Sequence, residues 1–278
     1  MTSIDDFRLG GIQTDGVADC TVFPGSFSRT SRLAIMALAI AAGLGGGLIL
    51  HNSGSGMALW GCIGVAAFLG GLLSTWSPCG YSSISLLRPT GKGARALVDW
   101  LPTFAMHGLG YAAGALILGT LLGALGMSLG FSGFASGFGL AVLALIGLVY
   151  GAHQLDFLRV PYPQRRAQVP HDARQRFPKW VVGGLYGLSL GLDYLTYVQT
   201  PLLYMMTAAA ILTGNPVEAI AIIALFNLGR FLPVAVNLFP VTDYAIQAWL
   251  GRNQERAAIA DGAILTALGA AFALLAMI

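Results

Sequence analysis

The sequence predicts an all-α fold, a polytopic helical bundle that crosses a membrane seven times. Three observations predict it. The chain of 278 residues is 56% hydrophobic and only 10% charged, with a mean hydropathy of +0.73, whereas a soluble domain is about 25% charged. Its apolar residues fall in long stretches near the length of about 20 residues that a helix needs to cross the hydrocarbon. Its cations alternate: fourteen of the fifteen Lys and Arg lie in every second loop, and the fifteenth is Arg230.

The elements follow in chain order. Residues 1–32 are polar and carry Asp5, Asp6, Asp15 and Asp19. That stretch is too long and too acidic for the start of a signal peptide, and reads as a cytoplasmic N-terminal tail. Residues 33–55 hold the first span, Leu33–Leu50, an extra N-terminal anchor without charge. The next unit, residues 56–153, opens with the long apolar stretch Gly56–Leu87, which Ser77-Pro78-Cys79-Gly80 interrupts. Leu101–Met127 and Phe131–His153 complete it. Residues 154–179 form the longest and most basic loop, expected to be a cytoplasmic linker. The last unit, residues 180–278, opens with Trp180–Leu212, interrupted at Asp193 and at Thr200-Pro201. Pro216–Phe239, which contains Arg230 and Pro233, and Ala257–Ile278 complete that unit.

Because positive loops stay on the cytoplasmic side, the alternation places the N-terminus in the cytoplasm and the C-terminus outside. Trp100, Trp180 and Trp249 fall at inner span edges and Trp60 near an outer one, positions that suit interfacial anchors. The units 56–153 and 180–278 each hold three spans, and enter the membrane from opposite sides. Each begins with an over-long segment broken by Pro about twenty residues in, Pro78 and Pro201. Matching interruptions of this kind point to a 3+3 inverted repeat with a site at its interface. Gly183, Gly187 and Gly191, like Gly110/Gly114 and Gly119/Gly123, recur every fourth residue and predict close helix packing.

Several functions are excluded or unsupported by the residues. Three cysteines, Cys20, Cys62 and Cys79, make no disulfide scaffold, and no Cys-x-x-Cys occurs. The four histidines show no metal-ligand spacing, and no phosphate-cradling or dinucleotide-binding glycine motif is present. No metal, cofactor or nucleic-acid partner is expected; the surrounding partner is the lipid bilayer. The enzymatic chemistry left open is thiol–disulfide exchange through a single Cys.

Cys79 is the residue where that chemistry would sit. Pro78 removes a backbone donor and breaks the preceding helix. A half-helix starting there aims free N–H groups at the thiol, which favours the thiolate. The other reading is a small apolar residue filling a kink. Cys62, seventeen residues earlier, is about 25 Å away along a helix, too far for a disulfide. Asp193 and Arg230 lie at similar depth in neighbouring spans, where an isolated charge is costly, and a mutual ion pair is expected. Asn227 and Gln199 are further polar candidates, and His107 reads as a satisfied core histidine or a member of a polar path.

The stretch GLLSTWSPCGYSSISLLRP, residues 71–89, resembles the first Pro-Cys helix of the cytochrome c biogenesis and DsbD-type transmembrane electron carriers. LFNLGRFLPVAV, Leu225–Val236, resembles a helix of their second half. The resemblance covers roughly residues 56–278. It implies six spans in two inverted triplets, which pass reducing equivalents across the membrane through one Cys in each triplet. This chain departs from that pattern in DYLTYVQTPLLY, where Val198 stands near the expected thiol and Pro201 is retained. The extra first span, the single Pro-Cys motif and the Cys-less second half resemble the MauF-type methylamine utilization proteins within that superfamily. That resemblance implies an inner-membrane accessory protein. It would be needed for maturation, export, or disulfide formation and stability of the periplasmic methylamine dehydrogenase small subunit. A membrane protein and a thioredoxin-like protein of the same pathway would be its partners. The alternatives are a thiol–disulfide electron carrier working through Cys79 with a partner, and a small-solute transporter using Asp193 and Arg230.

Overall fold

The computed structural model describes residues 25–54, 56–91, 93–164 and 176–278. The aspartates of the tail, Arg8, Cys20 and the linker residues Arg165, Arg166 and Arg174 lie outside the described residues. All regular structure among the described residues is helical. The helices are α1 (Arg29–Ser53), α2 (Gly56–Leu73), α3 (Pro78–Leu86), α4 (Ala94–Ser128), α5 (Gly137–Gln154), α6 (Lys179–Gly191), α7 (Leu202–Leu212), α8 (Pro216–Phe231) and α9 (Asp243–Met277). Short 3₁₀ turns follow α2 (Ser74–Trp76) and α8 (Leu232–Leu238).

Among the described residues, six helical stretches are long and apolar enough to cross a membrane. The remaining predicted span, Trp180–Leu212, the fifth in chain order, is not one helix but the two short ones, α6 and α7, with an unwound stretch between them. The first segment of the other unit is divided in the same way, into α2 and α3. α4 and α9 have 35 residues each, about 52 Å at 1.5 Å per residue. They therefore overrun the hydrocarbon, and begin before Leu101 and Ala257, where the apolar stretches begin.

Packing between the two units is reciprocal. α2 of the first packs on α8 of the second, and α6 of the second packs on α4 of the first. The middle helices α4 and α8 meet each other, and so do the last helices α5 and α9. Helix α1 lies outside this exchange, against α9.

Glycine makes both seams possible. A Cβ on Gly71 would overlap the Phe226 carbonyl, and one on Gly229 the Phe68 carbonyl. At the other seam a Cβ on Gly187 would overlap the His107 carbonyl, and one on Gly110 the Gly184 carbonyl. Small residues let helix backbones touch in this way. Gly183, Gly191, Gly114, Gly119 and Gly123, read in the sequence as packing faces, each approach backbone of a neighbouring helix.

One end of the bundle gathers charge. Arg32 bonds Glu255 of α9 at 2.9 Å and Asp156 beyond α5 at 3.2 Å. Arg88 reaches Asp243 at 3.5 Å and Lys179 the Thr90 hydroxyl at 3.0 Å. Trp180 and Trp249 are half exposed near this end. Trp100 differs from the interfacial role expected of it. It is buried, donates its indole N–H to the Leu87 carbonyl and packs on Phe104. The chain turn between α3 and α4 folds over it and removes it from the lipid boundary.

Candidate functional site

The site is built from two interruptions, each created by local sequence. In the first, α2 tightens into the 3₁₀ turn Ser74–Trp76, and Ser77 then turns extended (φ −75°, ψ 152°). Pro78 takes the first helical position of α3, where its missing N–H costs nothing. The turn holds itself together. The Ser74 hydroxyl donates to the Gly71 carbonyl at 2.6 Å, and both N–H and hydroxyl of Ser77 donate to the Ser74 carbonyl. Gly80 is pressed against this turn: a Cβ there would lie 2.7 Å from the Ser74 carbonyl oxygen and 2.8 Å from the Thr75 backbone.

Cys79 is the second residue of α3 and is buried. It packs with Leu87, with Tyr111 of α4 and with Val182, Tyr186 and Leu190 of α6. It therefore sits on the seam between the units. Cys62 lies in a different apolar cluster, packed on the main core with Leu59 and Trp60.

The second interruption is longer. Helix α6 ends at Gly191, and Asp193 adopts a left-handed conformation (φ 52°), which Asp tolerates better than most residues. The helix end and the unwound chain are held by side chains from elsewhere. Arg230 of α8 donates to the Leu190 carbonyl at 2.6 Å, to Asp193 Oδ1 at 2.9 Å and to the Thr196 hydroxyl at 3.3 Å. Both side chains of the Asp193–Arg230 pair are fully buried. A cation at a helix C-terminus also complements the exposed carbonyls. Asn227, one turn before Arg230, donates to the Gly191 carbonyl at 2.9 Å and across the seam to the Tyr111 carbonyl at 3.2 Å. The structure thus brings Asp193, Arg230 and Asn227 together, with Tyr111 joining them to the Cys79 cluster.

His107 stands one turn before Tyr111 on α4. Its Nδ1 is 3.0 Å from the Gly183 carbonyl and its ring meets Tyr111 edge-on. Buried polar atoms normally find partners. Among the described residues, His107 Nε2, the Tyr111 hydroxyl, Asp193 Oδ2, Asn227 Oδ1 and Arg230 Nε have none.

The sequence reading missed two residues here. Gln164, within the linker, accepts from the Val198 N–H at 2.8 Å and donates to the Val198 carbonyl at 2.7 Å and to the Tyr204 hydroxyl at 2.6 Å. Its carboxamide replaces the backbone partners that unwinding removes, at the position where the resemblance leads one to expect a thiol. Asp261 of α9 is buried and accepts from the Thr200 hydroxyl at 2.5 Å and from Gln154 at 2.7 Å. Thr200 also accepts from the Leu202 N–H at 3.3 Å, and Pro201 leads into α7. Gln199 is set apart from the Asp193–Arg230 group; it lines a small cavity beside Asp261. An Asp within an apolar run was the available signal for Asp261. Gln164 gave none, because its partner lies 34 residues away. No cluster of three metal-ligating residues occurs among the described residues.

Comparison with known proteins gives strong likeness over the whole chain. It is 76% identical over 277 residues to the methylamine utilization protein MauF of Paracoccus versutus, covering 100% of both chains. Identity to the methylamine utilization protein MauF of Paracoccus denitrificans is 67% over 278 residues, again 100% of both. Identity to that of Methylorubrum extorquens is 58% over 265 residues, 95% of this chain and 93% of the relative. No family model and no solved structure matches the chain.

Proposed function

The chain belongs to the MauF family of methylamine utilization proteins, and from that premise we propose that it is a multi-pass accessory protein of the bacterial inner membrane. Its N-terminus lies in the cytoplasm and its C-terminus in the periplasm. It serves maturation, export, or disulfide formation and stability of the periplasmic methylamine dehydrogenase small subunit. The units 56–153 and 180–278 act as inverted triplets, with α1 as an added anchor.

One observation carries the reading of the working group. Cys79 stands at the first turn of a half-helix on the seam between the two units. With Val198 in the second interruption, exchange is intermolecular. The Cys79 thiolate attacks a partner's disulfide, a mixed disulfide forms, and the partner's other sulfur leaves as thiolate. The thioredoxin-like protein of the same pathway is the partner whose chemistry fits. Cys79 is buried, so the seam parts for the exchange.

Cys79→Ser in the native host, at matched membrane levels, tests this. Loss of mature small subunit, with a partner trapped on Cys79 in the parent, supports thiol exchange. Normal accumulation makes Cys79 a packing residue and leaves a scaffold role. A second reading, small-solute transport, is favoured by the buried Asp193–Arg230 pair at an unwound helix. It predicts solute flux in vesicles that Asp193→Asn abolishes and Cys79→Ser spares.

A further inference from the structure

The two interruptions meet at a small cavity. It is lined by Leu73 and Trp76 from the first and by Gln199 and Thr200 from the second, and α9 closes it with Gln254, Ala258 and Asp261. Gln254 adjoins Glu255, the partner of Arg32, so the cavity lies toward the charged end of the bundle.

Asp261 differs from Asp193 in one respect. Asp193 has Arg230; among the described residues, Asp261 has no cationic partner and only the neutral donors Thr200 and Gln154. A carboxylate buried inside an apolar stretch is costly to ionise unless paired, and marks a functional site by default. Each carboxylate oxygen accepts one hydrogen bond here and keeps a further lone pair. The donor from Gln154 is itself oriented, because the Tyr162 hydroxyl donates to Gln154 Oε1 at 3.4 Å. The rim adds the carboxamides of Gln199 and Gln254, neither engaged in a hydrogen bond among the described residues. The remaining wall is Leu73, Ala258 and the indole of Trp76, whose ring is fixed by its N–H bond to the Leu250 carbonyl at 3.0 Å and by Trp249 at 5.4 Å.

From this arrangement we propose that the cavity binds a small primary ammonium ion, with Asp261 as its counter-charge. One carboxylate matches a single positive charge; a divalent cation would draw on several carboxylates. The three N–H donors of such an ion match Asp261 and the carbonyl oxygens of Gln199 and Gln254. Leu73, Ala258 and the indole of Trp76 supply the apolar wall for a short alkyl group. Soft-metal ligands are absent from the lining. The proposal does not rest on thiol chemistry at Cys79.

The test uses the full-length protein in detergent and methylammonium chloride as the probe. Sodium and potassium chloride at equal ionic strength are the controls, and thermal unfolding is followed. Binding to the folded state alone raises Tm with a saturable dose dependence. A rise of about 3 °C or more is expected for a chain of this size at high occupancy. Asp261→Asn abolishes the rise. Gln199→Leu, which keeps the carboxylate and guards against a misfolded Asp261 variant, weakens the apparent affinity by about tenfold, the loss of one good hydrogen bond. Equal shifts with all three salts, no shift in the parent, or an unchanged shift in both variants overturns the proposal.

Discussion

The interruption at Ser74–Ser77 and the one at residues 192–201 solve the same problem in opposite ways. The first is short and self-contained. Its bonds run from Ser74 and Ser77 to carbonyls three residues back, and Gly80 seals it from below. The second is long and borrowed. Its backbone is held by Arg230 and Asn227 of α8, by Gln164 of the linker, and through Thr200 by Asp261 of α9. A broken span can thus be stabilised locally or by its neighbours. The local solution makes its backbone bonds within a few residues, and, among the described residues, Trp76 alone reaches from it to the Leu250 carbonyl of α9. The borrowed one couples its shape to three other elements. A thiol is retained in the first and replaced by Val198 in the second.

That contrast can be broken where it is strongest. Arg230→Met leaves Asp193 buried without its cation and Leu190 without its donor. Removing one partner of a buried pair typically costs about 3–5 kcal/mol, so a large fall in thermal unfolding temperature is expected. Combining it with Asp193→Asn should recover part of the loss; no recovery in the double variant would show that the pair is not the unit of stability. Gln164→Leu strips both partners from Val198 and should cost about 1–3 kcal/mol. Hydrogen exchange should then accelerate at residues 192–201 and stay unchanged at 74–77. Equal acceleration in both would erase the distinction. Ser77→Ala is the smallest change. It removes one bond from a turn with others to spare, and a loss of about 0.5–1.5 kcal/mol is expected, with no change in exchange at residues 192–201.

Much of this was legible in the sequence where physics acts along the chain. Pro78 and Pro201 announced the breaks because proline lacks the N–H of a helical bond, although Pro102 sits inside the unbroken α4. The Asp193–Arg230 pair followed from depth, since membrane thickness converts residue count into height. Gly187 and Gly110 followed from four-residue spacing. Other features depended on which faces meet. Gln164 sits in a polar loop, and no rule of spacing connects it to Val198. Asp261 was hidden inside an apolar run, and its meaning depends on Gln154 and Thr200, which only the packing of α9 against α5 and against the second interruption brings to it. Trp100 misled because its place at a span edge said nothing of the α3–α4 turn folding over it.

The glycine seams have a mechanical consequence. Where Gly71 lies on the Phe226 backbone, and Gly187 on that of His107, the helix backbones touch with no side chain between them. Such a joint resists compression strongly, and sliding along it is opposed by the side chains that flank the glycines, Tyr111, Tyr186 and Leu190 at the α4–α6 seam among them. The described polar latches beside the α4–α6 joint include His107 of α4 on the Gly183 carbonyl of α6, and Asn227 of α8, which bonds the Tyr111 carbonyl of α4 and the Gly191 carbonyl of α6. Both are short side chains that a shift of a few ångströms would release. The molecule is therefore stiff across its seams, and its freedom along them is set by the side chains and latches that flank each glycine.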